Sequence, residues 1–580
     1  MEFLKKYFKK YWKGFCLAIA FLTVEASCDL MQPTIMSKIV DVGVVNRQMD
    51  YVLKMGAVML MITALGALAA CGRNFLSSSV SQKFSADVRL DLFKRIQGFS
   101  FDNVDRFSQA SLITRITNDV TQLQNFANGL MRIFVKSPIV CIGSIIMAVR
   151  LNIRLSVVLV GVLPVVALLI FFNMNIGYPY FVRVQRALDN VNSIMREYLS
   201  GVRVVKAFNR FNYETNRFRK VNEEYSGLST TSMRIMAVFS PINAIVVNIG
   251  IIAILWIGAV NVNRGNMQVG QIIAFINYMT QILFSIMIIS MVFNTFVRAR
   301  ASAERIGEVF MEESTLQYDK DNQHKEFKYR GRVDFEHVYF SYNNQSKAVI
   351  KDINFTCMPG ETVGIIGATG SGKTTLVNLI PRFYDVKSGS VKVDGVDIKY
   401  IDKDILMNKI AIVPQKTILF TGTVIDNIRW GKEDATLEEV REAAKISIAD
   451  EFISSFPEQY DTRLGQGGVN FSGGQKQRVS IARALIKKPE ILILDDSTSA
   501  VDVTTEGNIR KGLKKYAKGL TCIIIAQRIT SVMEADKIIV LDEGKIKAIG
   551  KHEELMKNCD IYKDIFHSQM VKEMTSIVGE

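Results

Sequence analysis

Apolar residues crowd the first 300 positions in long, almost uncharged runs, and beyond them short apolar stretches alternate with polar ones. A helix rises 1.5 Å per residue, so crossing about 30 Å of hydrocarbon takes about 20 mostly apolar residues. Six runs meet that length: Gly14–Ser37, Lys54–Leu76, Leu130–Val149, Leu155–Pro179, Met236–Val262 and Val269–Val297. The first contains Glu25 and Asp29, and the third encloses Arg132 and Lys136. The links near 38–53, 150–154 and 263–268 are short, whereas 77–129 and 180–235 are long, charged and helical in pattern. Lys5, Lys6, Lys9, Lys10 and Lys13 precede the first run, and the long links carry Lys83, Arg89, Lys94, Arg95, Arg203, Lys206, Arg210, Arg217, Arg219 and Lys220. Positive residues stay in the cytosol. The pattern therefore predicts cytosolic termini, cytosolic long links and outward-facing short ones. The turns at the bottom of the long links, near Val104–Leu112 and Ala207–Thr215, are the segments expected to meet a cytosolic domain.

Positions 333 onward read as that domain. The expected fold is an all-α transmembrane domain of six helices with long cytosolic extensions. It is followed by an α/β P-loop ATPase domain with an α-helical subdomain. Expected boundaries are 1–310 for the membrane domain, 311–332 for a linker, 333–568 for the nucleotide-binding domain and 569–580 for a C-terminal tail.

Composition narrows the function classes. The chain is 49% hydrophobic yet 22% charged, a combination that implies segregation, and its formal net charge is +15. Basic balance can signal nucleic acid or a membrane face. No zinc-ligand spacing, basic heptad helix or aromatic RNA-binding strand is present, so a lipid bilayer is the expected partner and nucleic acid is not. The seven cysteines, at 16, 28, 71, 141, 357, 522 and 559, contain no CxxC pair and read as reduced, structural thiols. The start, MEFLKKYFKKYWKG, reads as a basic flank to a retained helix rather than a cleaved signal. Glu25 and Asp29 are spaced i, i+4 and share one helix face. Carboxylates at that depth are costly, which makes them candidates for cation contact; the alternatives are the outer rim or bonds to neighbouring helices. The Met and Phe residues of spans five and six suit an adaptable apolar cavity, with lipid-facing or helix-packing roles as the alternative expected for most of them.

The chemistry-bearing residues lie in the second half. Thr362–Ile380 reads TVGIIGATGSGKTTLVNLI, an apolar strand, a glycine-rich loop and an apolar helix. Gly367, Ala368, Thr369, Gly370, Ser371, Gly372, Lys373, Thr374 and Thr375 form the GxxxxGK[ST] phosphate loop in its required context. Its glycines let successive N–H groups face phosphate oxygens at a helix N-terminus. Lys373 should reach the β- and γ-phosphates, and Thr374 should ligate Mg²⁺. The run ILILDD, Ile491–Asp496, is a buried strand ending in the metal-side carboxylate Asp495. Between the two lies Phe471-Ser472-Gly473-Gly474-Gln475.

FSGGQ in that position resembles the LSGGQ signature of ABC transporters, and the whole chain is similar to the exporters in which six spans precede one nucleotide-binding domain. The resemblance implies several roles. Tyr342 would stack on adenine, Gln415 would sense Mg²⁺ and face the membrane domain, and Ser499–Asp502 would be the D-loop. Thr462–Gly468 matches a cross-talk segment, with Gln466 where that segment usually carries Glu. The family closes two nucleotide domains head to tail, each ATP lying between one chain's phosphate loop and the other's signature. The implied cofactors are ATP and Mg²⁺, the latter on Thr374, Gln415 and Asp495. The implied partner is a second half-transporter.

Two positions depart from the family. Asp496 stands where a Glu polarises the attacking water; Asp is shorter by about 1.5 Å, one carbon–carbon bond, and a misplacement of ~1 Å can cost about 10²-fold in rate. Gln527 stands where a His contacts the γ-phosphate, and Gln cannot become a cation. Both changes in one otherwise intact site resemble the degenerate subunit of heterodimeric multidrug exporters. A homodimer with two slow sites is the alternative. The expected cargo is a hydrophobic or amphipathic drug-like compound exported across a bacterial plasma membrane, with lipid or peptide export and metal-chelate import as alternatives.

Overall fold

The structure is a computed structural model that describes residues 2–316, 327–342, 347–516 and 519–578. Of the expected linker, 317–326 lie outside the described residues, as do 579–580 of the expected tail. The chain divides into two compact units, Met1–Gln97 with Gln109–Glu312, and Gly98–Ser108 with Glu313–Glu580.

The first unit is helical. Among the described residues, six helices are long and apolar enough to cross a bilayer: Phe3–Val44, Met49–Gln97, Gln109–Leu151, Ser156–Ala207, Phe211–Asn263 and Val269–Ile289, the last continuing as helix to Met311. The fourth has 52 residues, about 78 Å of helix, so its polar half projects well beyond any hydrocarbon layer. The first and second helices are joined by two rungs. Lys6 Nζ and Tyr7 OH both donate to Asp91 Oδ2 at 2.8 Å. One turn on, Tyr11 OH donates to Asp87 Oδ2 at 2.8 Å, beside Lys10. Part of the basic N-terminal flank is thus neutralised within the unit.

The third helix begins at Gln109 rather than at Leu130, and it is interrupted by π-helical turns at Arg115–Asp119 and Leu130–Phe134. The second turn leads straight into Lys136. Lys136 Nζ lies 2.6 Å from Glu25 Oε1 and 2.9 Å from Asp29 Oδ2. Arg73 grips the same Glu25, Nε to Oε2 at 2.7 Å and Nη2 to Oε1 at 3.4 Å. Glu25 and Asp29 are therefore satisfied by cations of neighbouring helices. The bonded alternative replaces the expectation of contact with an external cation, because a buried carboxylate without a partner would carry its full desolvation cost.

The described residues of the second unit form three sheets. Strands β1 (Val333–Phe340), β2 (Ile350–Cys357), β3 (Thr362–Ile366), β4 (Ser388–Val393), β5 (Val396–Asp397) and β6 (Ile410–Val413) come first in the chain. They are followed by β7 (Gly422–Thr423), β8 (Arg463–Leu464), β9 (Ile491–Asp495), β10 (Thr521–Ile525), β11 (Lys537–Asp542) and β12 (Lys545–Gly550). The central sheet runs β12-β11-β3-β10-β9-β6 and is parallel except for β12. An antiparallel sheet, β2-β1-β4-β5, packs with it around Phe335, Ile365, Leu376, Ile493 and Ile523. The remaining two-stranded sheet pairs β7 with β8. All five residues of β9 are buried, which explains its uninterrupted apolar run: a parallel strand covered on both faces does not alternate. A second core, built on helices Val424–Arg429, Leu437–Ile446 and Gly473–Leu485, forms the helical subdomain. The expected fold class holds in both units.

The segment Gly98–Ser108 belongs to the second unit although it interrupts the first in sequence. Its helix, Phe101–Arg106, is N-capped by Ser100. The Phe101 ring sits 4.6 Å from that of Phe383, Tyr384 OH donates to Asp105 Oδ2 at 2.9 Å, and Asn103 donates to the Glu313 carbonyl at 3.0 Å. The docked element is thus Phe101–Arg106 rather than Val104–Leu112. The helix C-terminus at Asp560–Val578 runs through position 569, so a domain boundary at 568 falls inside one continuous helix.

Candidate nucleotide site

The phosphate loop leaves β3 and enters the helix Lys373–Asn378. Gly370 and Gly372 have φ of +83° and +99°, conformations that a side chain strains. A Cβ at Gly367 would lie 2.0 Å from the Leu541 carbonyl oxygen. Lys373 Nζ donates to the carbonyls of Gly367 and Ala368, both at 2.8 Å. Burial lowers its pKa. Across the cleft, Thr374 Oγ1 donates to Asp495 Oδ1 at 3.1 Å. A cavity of about 220 Å³ gathers Thr369, Gly370, Gly372, Lys373, Thr374 and Thr375 with Gln415, Asp495, Asp496 and Gln527.

The residues fit a magnesium nucleotide. The cradle is closed to side chains, and the Ser371 hydroxyl is buried with no hydrogen-bond partner among the described residues. Thr374 and Asp495 offer oxygen ligands of the hard type Mg²⁺ takes. Burial pushes both the Asp495 and Asp496 carboxyls above the usual carboxylate range. A cation in the cleft would favour their ionised forms.

Asp496 has φ +49°, in the left-handed region that Asp tolerates better than most residues. Its N–H donates to the Ile525 carbonyl at 2.9 Å, which ties the end of β9 to the end of β10. Its Oδ2 accepts from two amides, Gln415 Nε2 at 3.2 Å and Gln527 Nε2 at 2.8 Å. Both departures from the family pattern therefore touch one oxygen atom.

Other expected site residues lie elsewhere. Tyr342 does not line the cavity; its hydroxyl is 2.9 Å from Thr375 Oγ1, and its ring meets Phe340 and Tyr384 edge-on at 4.8 and 5.2 Å. Phe471, Ser472, Gly473, Gly474 and Gln475 are also absent from the cavity wall. Phe471 is buried against Phe452 and Phe456, an aromatic socket that accounts for Phe where Leu is usual. Ser472 caps the 13-residue helix Gly473–Leu485: its Oγ accepts from Gln475 N at 3.3 Å, and Gln475 Oε1 accepts from Ser472 N at 2.9 Å. Ser472 and Gly473 are exposed at that helix N-terminus, where backbone donors suit an anion. Asp502 caps the following helix by accepting from Thr505 N at 2.9 Å. Gln477, not singled out by sequence, joins the signature helix to the D-loop through Ala500 N at 3.0 Å and Ser499 Oγ at 3.3 Å. A buried Gln one turn into a capped helix was its only local signal. Gln466 begins a short 3₁₀ turn in which Gly467 has φ +65°.

The chain matches the family described as ABC transporter transmembrane region over residues 15–287 and that described as ABC transporter over 350–499. It is 39% identical, over 96% of both chains, to the uncharacterized ABC transporter ATP-binding protein YfiB of Bacillus subtilis (strain 168). It is 36% identical, over the whole of both chains, to the uncharacterized ABC transporter ATP-binding protein Rv1273c of Mycobacterium tuberculosis. YgaD of Bacillus subtilis, whose name assigns it provisionally to multidrug export as an ATP-binding/permease protein, is 33% identical over 98% of each chain. Among solved structures, a bacterial Atm1-family ABC exporter with ATP bound has the same fold, with a TM-score of 0.79, 24% identity and coverage of 96% of this chain and 98% of that one.

Proposed function

Because this chain belongs to the ABC transporter family, as an exporter-type half-transporter with six spans ahead of one ATP-binding domain, we propose that it is the hydrolysis-impaired subunit of a heterodimeric exporter. It binds ATP on its own phosphate loop and hydrolyses it slowly. Its signature residues Phe471–Gln475 complete the competent site of a different partner chain, whose own phosphate loop and catalytic glutamate do the hydrolysis. ATP-driven closure passes from helix Phe101–Arg106 and from the tip at Ala207–Thr215 to the spans. The cargo is hydrophobic or amphipathic, moved outward across the plasma membrane.

The observation that carries this reading is Asp496. A carboxylate that activates water needs a free oxygen aimed at the nucleophile. Here Oδ2 is shared by two amide donors, and the side chain is one methylene short. Gln527 supplies a neutral N–H where a cationic ring would stabilise developing charge. Thr374 and Asp495 would hold Mg²⁺, which supplies charge neutralisation on the phosphates when bound. Lys373 and the loop N–H groups bind and orient the phosphates, so binding survives where catalysis is weakened. Support for the cargo class comes from the relative provisionally assigned to multidrug export. It comes also from the exposed Phe171, Phe172, Met174, Met236, Met287 and Met291 of the spans.

The test is ATPase activity of the purified chain and of Asp496→Glu/Gln527→His. The unmodified chain should turn over negligibly, and the double substitution should raise its rate at least tenfold. Robust turnover of the unmodified chain alone, lost in Asp496→Asn, would overturn the reading in favour of a homodimer. In cells that also supply a partner, efflux of a hydrophobic dye should depend on the partner's glutamate and not on Asp496.

A further inference from the structure

Gln527 is held from behind by the C-terminal helix. Helix Asp560–Val578 anchors itself by burying Tyr562, Ile565 and Phe566 against Ile366, Ala526, Ile529 and Val540. Gln569 lies seven residues beyond Tyr562, two helical turns, and so on the same face. Its Nε2 donates to the Gln527 carbonyl at 2.8 Å, and its Oε1 accepts from the Ile529 N–H at 2.8 Å. One side-chain amide thus spans the turn that follows β10 and fixes the peptide planes on both sides of Arg528. The Gln527 side chain then donates to Asp496 Oδ2, which also accepts from Gln415. The four residues form a continuous series, 569 to 527 to 496 to 415, from the last helix to the metal side of the cleft.

We propose that Gln569 is a positioning residue of the nucleotide site: it holds Gln527 where its amide meets a γ-phosphate, and so sets the preference for triphosphate over diphosphate. The proposal rests on the reading of this cleft as an ATP site. It does not depend on how fast that site hydrolyses. A turn segment tied only by its own backbone samples several orientations, and two bonds from a packed helix restrict it to one. Gln569 is not among the residues that line the cavity, so its loss should act on the γ-phosphate contact and leave the contacts to the α- and β-phosphates in place.

The experiment uses the full chain in lipid nanodiscs. Mg²⁺ complexes of ADP and of the non-hydrolysable AMP-PNP compete against a fluorescent nucleotide, for the unmodified chain, Gln569→Ala and Gln569→Glu. The Glu variant keeps an acceptor for Ile529 N–H and loses the donor to the Gln527 carbonyl, and its carboxylate repels that oxygen. Both substitutions should cut the ratio Kd(ADP)/Kd(AMP-PNP) about tenfold, a change of about 1.4 kcal/mol, with ADP affinity held within about twofold. An unchanged ratio in both variants, or an unmodified chain with no triphosphate preference, overturns the proposal. Because AMP-PNP is not hydrolysed, fast ATP turnover by the unmodified chain would remove the degenerate-site reading and still leave this ratio to decide the role of Gln569.

Discussion

The intramembrane ion network offers the sharpest energetic test. Glu25 and Arg73 have side chains only 10% and 8% exposed, and Lys136 joins them from a third helix. Removing one member of a buried pair costs ~3–5 kcal/mol, because the remaining charge stays buried without a partner. Replacing both with apolar residues of similar size is far less damaging. Arg73→Met leaves Glu25 with Lys136, so its cost should fall near the low end, about 3 kcal/mol. Glu25→Met strands Arg73 with one long contact, 3.5 Å to the Arg132 carbonyl, and should cost more. At about 2 °C per kcal/mol for a large unit, the single changes should lower Tm by about 6 and 8–10 °C. The double change Glu25→Met/Arg73→Met should fall short of their sum by at least 4 °C. The assay is thermal unfolding of the detergent-solubilised chain, followed by intrinsic fluorescence. Strict additivity would refute the network, as would an Asp29→Asn change larger than that of Glu25, since Asp29 is 37% exposed and among the described residues pairs with Lys136 only.

Three further outcomes are expected. Lys373→Ala should weaken MgATP binding by at least about tenfold, since a charge-assisted contact is worth ~1.5–3 kcal/mol, while leaving Tm nearly unchanged; fluorescent-nucleotide titration reads the affinity and thermal unfolding the Tm. Tyr384→Phe keeps the ring against Tyr342 and Phe340 and removes the bond to Asp105; hydrogen exchange over 98–108 should rise severalfold, and unchanged exchange would place the hold on Phe101 and Asn103 instead. Burial raises the Asp496 pKa, so the nucleotide-free chain is stabilised once Asp496 is protonated and loses that increment as pH rises through the raised pKa. Asp496→Asn should therefore flatten the Tm–pH curve just above the ordinary carboxylate range, and a curve parallel to that of the unmodified chain would refute the assignment.

What could be read from residue order alone follows a physical divide. The spans are legible because hydrocarbon thickness sets a length that any apolar run must meet, and the phosphate loop because few residue types can make that turn. Arg132 and Lys136 were visible as interruptions, but nothing local tells that Lys136 faces Glu25 across 111 positions, or that Arg73 meets it from 48 positions away. The π-helical turns of the third helix were equally hidden: each shifts the helix face by one residue and leaves no compositional trace. A contact at the bottom of the first long link was expected at Val104–Leu112; its actual place, Phe101–Arg106, depends on Phe383 and Tyr384, far along the chain. Gln477 and Gln569 are ordinary helical glutamines until the fold brings Ala500 and Gln527 to them.

The two departures in the nucleotide site are also one structural event. Asp496 lines the cleft, and Gln527 reaches its Oδ2 at 2.8 Å. A Glu there would extend its oxygens by about 1.5 Å, into the space the Gln527 amide now uses. A His at 527 would offer a ring nitrogen on a shorter, stiffer stem, with less reach to an aspartate. Asp496 and Gln527 therefore satisfy each other, which a Glu–Gln or an Asp–His combination would do less well. Asp496 Oδ2 carries two amide donors, and Gln527 Nε2 keeps a second hydrogen with which to meet a phosphate oxygen. The contacts at Asp496 give the site a defined resting arrangement, with Gln569 on one side and Gln415 on the other. If the site is hydrolysis-impaired as proposed, a nucleotide that enters it meets intact binding groups and stays bound.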